Sequence, residues 1–135
     1  MRRRPSRGER VDYPPPVVVP IKTQGGMNAR EHPMQRHRRV QRERQWIALA
    51  LQGKPKPPLP CVVSLTRVSP GNTPDDDNVV SCLKATRDQI AKWLRVDDGE
   101  RETVRYRYAS LRGPWAVRIE FAPPVAGQQM QIEVE

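Results

Sequence analysis

Two stretches in the second half of the chain alternate strictly, and they limit the fold more than any other feature. From Thr103 to Ala109, Val104, Tyr106 and Tyr108 take one face, and Arg105 and Arg107 the other. From Trp115 to Phe121, Trp115, Val117, Ile119 and Phe121 alternate with Arg118 and Glu120. A period of two is that of a strand with one buried face. Leu111-Arg112-Gly113-Pro114 between them has the make-up of a tight turn, so a hairpin is expected. A sheet with one apolar face must have it covered by other elements.

That cover is expected from two helices. Pro33 suits a first helical turn, and a helix is expected from residue 33 to Gln52, stopped by Gly53. Val40, Arg44, Ile47 and Leu51 fall at helical spacing, with Trp46 and Ala50 widening the stripe. A second helix is expected to start at Asp77 or Asn78, both good N-caps, and to run to Leu94. Its apolar stripe is Val79, Leu83, Ile90 and Leu94; Asp77, Ser81, Lys84 and Asp88 share the neighbouring face, with Lys84 and Asp88 spaced to pair.

Two further strands complete the order. Pro16 to Lys22 is rich in β-branched residues but bounded by prolines, the mark of an edge strand. Cys61 to Val68 reads as a second strand, reached through the stiff linker Lys54-Pro55-Lys56-Pro57-Pro58. The expected fold is α+β: a single small domain in the order β-α-β-α-β-β, with two main helices on a mixed sheet. The domain should span residues 17–122. Residues 1–16 form a basic arm rich in proline and arginine, and residues 123–135 a tail with room for a short strand from Gln129 to Val134.

Charge divides the chain. The net charge is +9, yet residues 1–60 carry 14 Lys+Arg against 4 Asp+Glu, and residues 61–135 carry 10 against 11. The first helix begins with a basic face, Arg36, Arg38, Arg39 and Arg42, offset there by Glu43 alone. Such one-sided excess suits a phosphate backbone, so nucleic acid is the expected partner. His32 and His37 have no partners at metal-ligand spacing and are expected at the surface. Cys61 and Cys82 are too few for a disulfide framework and are expected as buried thiols in a reducing compartment. No apolar run is long enough for a membrane span, and the basic start lacks the apolar stretch of a secretory signal, so cytoplasmic residence is expected.

Against this basic background stands Asp75-Asp76-Asp77-Asn78, with Asp97-Asp98 following the second helix. Crowded carboxylates resist ionising unless a cation joins them. If the first segment is extended, Asp75 and Asp77 point the same way and form two ligands of one hard cation. A third carboxylate from Asp97 or Asp98 would complete an oxygen-rich site suited to Mg²⁺. Such a site polarises a phosphodiester and generates hydroxide, and Lys84 could steady the developing phosphate charge.

Residues 17–121 resemble the RusA-type Holliday junction resolvases of phages and prophages. Asp75-Asp76-Asp77-Asn78 is similar to that family's Asp-x-Asp-Asn motif, and Val96-Asp97-Asp98 to its apolar-Asp-Asp motif. Asn28 before a basic helix is similar to its N-terminal Asn/Arg segment, and Thr103–Phe121 to its closing hairpin. The resemblance implies a homodimeric, Mg²⁺-dependent endonuclease that nicks opposing strands of four-way DNA junctions, with Mn²⁺ as a possible substitute. It implies Asp75, Asp77 and Asp98 as metal ligands. The family has a lysine four residues after the second aspartate; here that position is Ser81, and Lys84 stands seven after. Two other readings fit the same residues: a catalytically silent DNA-binding protein of this fold, and a small structural or regulatory protein whose aspartates cap a helix.

Overall fold

β2 (Cys61–Ser69) is the strand on which the rest of the sheet is built. A computed structural model describes residues 13–23, 32–71, 76–96, 103–124 and 132–134, the backbone alone for 76–78 and 132–134. The other elements are β1 (Val17–Val19), α1 (Pro33–Leu51), α2 (Asp76–Cys82), α3 (Lys84–Leu94), β3 (Val104–Arg112), β4 (Ala116–Ala122) and β5 (Ile132–Val134). They form one small α+β domain with a mixed sheet in the order β1-β4-β2-β3-β5. β2 and β3 are parallel, as are β3 and β5; β4 runs antiparallel to both β2 and β1.

The expected hairpin is not there. β3 and β4 are strands as their alternation requires, but each pairs with β2, from opposite sides. Their link crosses the end of β2, where the Gly113 N–H donates to the Ser69 carbonyl at 2.9 Å. A Cβ at Gly113 would stand 3.0 Å from the Val68 side chain, so this close crossing suits glycine. Alternation identifies a strand but not its neighbour. β2 takes one of them on each side, β3 along residues 61–69 and β4 along residues 62–68.

Every second residue of β2 points to the helices: Cys61, Val63, Leu65, Arg67 and Ser69 are all buried. Val104, Tyr108, Val117, Ile119 and Phe121 continue this layer across β3 and β4. α1 adds Ile47 and Leu51, and the second helical segment adds Val79, Leu83, Ile90 and Leu94. The opposite sheet face carries Ser64, Thr66, Ala109 and Ala116, with exposed Arg105 and Arg118. The domain therefore has two layers, with the core between the sheet and one set of helices.

α1 starts and stops where its residues dictate. Pro33 opens it, the His32 Nδ1 accepts from the Met34 N–H at 3.1 Å, and Gln35 Oε1 accepts from the His32 N–H at 3.4 Å. This closes a capping box with histidine in the usual Ser/Thr role. Gly53, at φ 76, turns the chain out of the helix. Trp46 departs from expectation: it is 50% exposed, on the flank of the helix and not in its buried line. The single second helix also departs. It breaks at Leu83 (φ −103, ψ 8) into α2 and α3, with the Leu83 N–H shared between the Val79 and Val80 carbonyls, both at 3.2 Å. The bend keeps Val79, Leu83, Ile90 and Leu94 all turned inward.

β1 lies at the sheet edge, as its prolines require. β5 comes from within the expected C-terminal tail and extends the other edge. Most of the expected basic arm lies outside the described residues. Cys61 and Cys82 are buried and form no disulfide. No helix among the described residues is long and apolar enough to cross a membrane.

Candidate functional site

The parallel strands β1 and β2 end on the same side of the domain, and charged residues gather there. Arg67, near the end of β2, is only 8% exposed. Its Nε donates to Thr23 Oγ1 at 3.0 Å, its Nη2 to the Thr23 carbonyl at 2.9 Å and its Nη1 to Ser69 Oγ at 3.2 Å. The guanidinium carbon stands 5.2 Å from the centre of the Trp115 ring, and Lys22 Nζ stands 5.4 Å from the same ring. Arg67 thus ties the chain leaving β1 to the centre of the sheet and holds a positive charge where it is poorly screened.

α1 and α2 meet this end from above. Glu43 of α1 is buried, and its carboxylate lies 3.8 Å from Arg39, one turn back. Burial pushes the Cys82 thiol of α2 up; Arg67 and Arg39 oppose that shift, and Glu43 adds to it. Cys82 therefore feels side chains of both α1 and β2. It ends the short helix whose first residues are Asp76 and Asp77. Ligands of open α/β sheets gather outside the carboxyl ends of the strands, which is the position α2 opens on.

Asp75 and Asp98 lie outside the described residues. Asp77 is helical, in the first turn of α2, so the extended geometry expected to align it with Asp75 does not apply at its position. Lys84 opens α3, exposed, beyond the break at Leu83, and Ser81 is exposed on the last turn of α2. Asp88 does not take Lys84 as its partner in the manner expected. It accepts from Arg44 of α1, Nη2 to Oδ2 at 3.4 Å, clamping α1 to α3.

The chain on either side of residues 97–102 is held elsewhere. Val96 follows α3, whose last turn packs Trp93 against Phe121 at 5.9 Å between ring centres. Phe121 pairs with Val63, near the start of β2. Thr103, the next described residue, accepts from the Cys61 N–H at 3.0 Å. The chain entering and leaving segment 97–102 is therefore held at the N-terminal end of β2, and α2 begins beyond the C-terminal end. Strand rise over β2 separates those ends by about 26 Å.

The expected basic face of α1 is present but uneven. Arg38 and Arg42 are exposed, while Arg36 and Arg39 are half-buried. Arg39 and Arg42 line an open groove of about 370 Å³ between α1 and the chain leaving β1, together with Lys22 and Trp46. Arg67, Lys22 and Trp46 escaped sequence reasoning as site residues. Arg67 had a signal: it shares the parity of Val63 and Leu65, which places it inward. Trp46 had one too, lying 100° around the helix from Ile47.

No protein-family model matches the chain, and no curated protein or solved structure matches it.

Proposed function

We propose that the protein is a RusA-like, Mg²⁺-dependent endonuclease that nicks branched DNA, four-way junctions above all, as a homodimer. One observation supports the reading: Lys22, Arg39 and Arg42 line a groove between α1 and the chain leaving β1, and Arg67 near the end of β2 stands close enough to act on Cys82 of α2. In this reading the exposed cations Lys22 and Arg42 hold phosphates, and Asp75, Asp77 and Asp98 hold the metal. Mg²⁺ suits oxygen donors and keeps part of its water, which it would acidify for attack on a phosphodiester. Lys84 is exposed at the start of α3 and is the nearest lysine in sequence for the charge that develops. Arg38 and Arg42 follow the backbone, so selection rests on branch shape more than on base edges.

The Asp77→Asn variant tests this. It is expected to lose junction nicking in Mg²⁺ or Mn²⁺ while still binding the junction, since it removes a ligand and a repulsive charge together. Undiminished nicking by Asp77→Asn overturns the assignment.

A second reading is a DNA-binding protein of this fold without catalysis. It is favoured by Ser81, which stands where the resembled family has its lysine, and by Lys84 opening α3 beyond the break at Leu83. Junction binding that falls steeply with salt, with no nicking by the wild-type protein in either metal, is its signature.

A further inference from the structure

The groove beside α1 has a composition that phosphate contact alone does not require. Trp46 is 50% exposed on the rim of the groove, a large ring left in water on an otherwise cationic flank. Arg38, Arg42, Trp46 and Leu49 stand at i, i+4, i+8 and i+11, so they form one stripe along the outer side of α1. The opposite flank of the helix is closed by the Arg44–Asp88 contact with α3. The flank toward β1 is bounded by Pro20, Ile21 and Lys22. Among the described residues Glu43 is the one acid lining the groove, and Arg39 engages it. Lys22 and Arg42 remain as the exposed cations, so the groove is positive and suits an anionic ligand.

From this arrangement we infer that the groove binds single-stranded DNA, one base stacking on Trp46 with the flanking phosphates against Lys22 and Arg42. A volume of about 370 Å³ lies within the range of small-ligand clefts and suits about one nucleotide. A cationic track beside an exposed aromatic ring is how single strands are bound without sequence preference. A base in an intact duplex is stacked on its neighbours and cannot cover the ring, so the ligand is an unpaired strand. This inference rests on the proposed action on branched DNA, where strands open near the branch, and gives that substrate a contact outside the acidic site.

The test uses the full chain and an oligo-dT strand, with binding followed by anisotropy and by tryptophan fluorescence. Oligo-dT is expected to quench the fluorescence, and Trp46→Ala to weaken binding about tenfold, with Trp46→Phe recovering most of the loss. A strand of equal length without bases is expected to bind Trp46→Ala and wild type alike. Arg42→Ala is expected to lower the slope of log affinity against log salt by about 0.7 while quenching persists. Equal oligo-dT affinity for wild type and Trp46→Ala at one salt concentration overturns the inference. So does equal affinity of wild type for the strand with bases and the strand without. Junction nicking in Mg²⁺ is scored separately: Trp46-dependent binding supports the groove even where nicking fails, and nicking with Trp46-independent binding defeats the groove alone.

Discussion

The two ends of β2 are built from different chemistry. At its start, Cys61, Val63, Val104, Phe121, Trp93 and Leu94 close the domain with apolar side chains and one tilted ring pair. At its finish, Arg67, Ser69, Thr23, Lys22 and Trp115 are held by hydrogen bonds and by cations over a ring. Alternation is the same along the whole strand, so the difference lies in residue type and not in secondary structure. Stability is expected to come mostly from the first end, and recognition of phosphate from the second.

Phe121→Ala should have the largest effect. It empties the space against Trp93 and should cost about 3 kcal/mol in denaturant unfolding, with DNA affinity unchanged well below the melting temperature. A loss of DNA affinity in that variant would break the division between the ends. Arg67→Met comes next, at about 2 kcal/mol, because the Thr23 carbonyl and two hydroxyls lose their donor while the buried stem is kept. Unlike Phe121→Ala, it should also weaken DNA binding, since a fixed positive charge leaves the C-terminal end of β2.

The apolar end should show itself in pH dependence. Burial pushes the Cys61 thiol from 9.0 to about 11. The unfolded chain therefore releases that proton first, and stability falls as pH rises from about 9 toward about 11 and is level below it. Urea melts across this window should show a shallower alkaline fall for Cys61→Ala than for wild type. The smallest effect belongs to the clamp between the helices. Arg44 and Asp88 are partly exposed, so a double-mutant cycle should give a coupling of about 0.5 kcal/mol.

Much of this fold is legible in the residues. Prolines place β1 at an edge, Pro33 and Gly53 bracket α1, and the stripe Val79, Leu83, Ile90 and Leu94 faces the core. Strand pairing is not legible in the same way. Trp115–Phe121 alternates equally well beside β3 or beside β2, so its alternation does not make the choice. The break at Leu83 is also silent, since no glycine or proline marks it. Of the site, the cations of α1 could be read from composition. The way Arg67 and Lys22 join them depends on β1 and β2 ending on the same side of the domain with β4 between them, and on a contact between Thr23 and Arg67, 44 residues apart, that local pattern does not carry.

The most direct measurement of the central claim is end-labelled cleavage of a synthetic four-way junction by the wild-type protein, in Mg²⁺ and in Ca²⁺. The account predicts paired nicks on opposing strands in Mg²⁺, and binding without nicks in Ca²⁺. A folded protein that binds the junction tightly and leaves every strand whole in both Mg²⁺ and Mn²⁺ would contradict it.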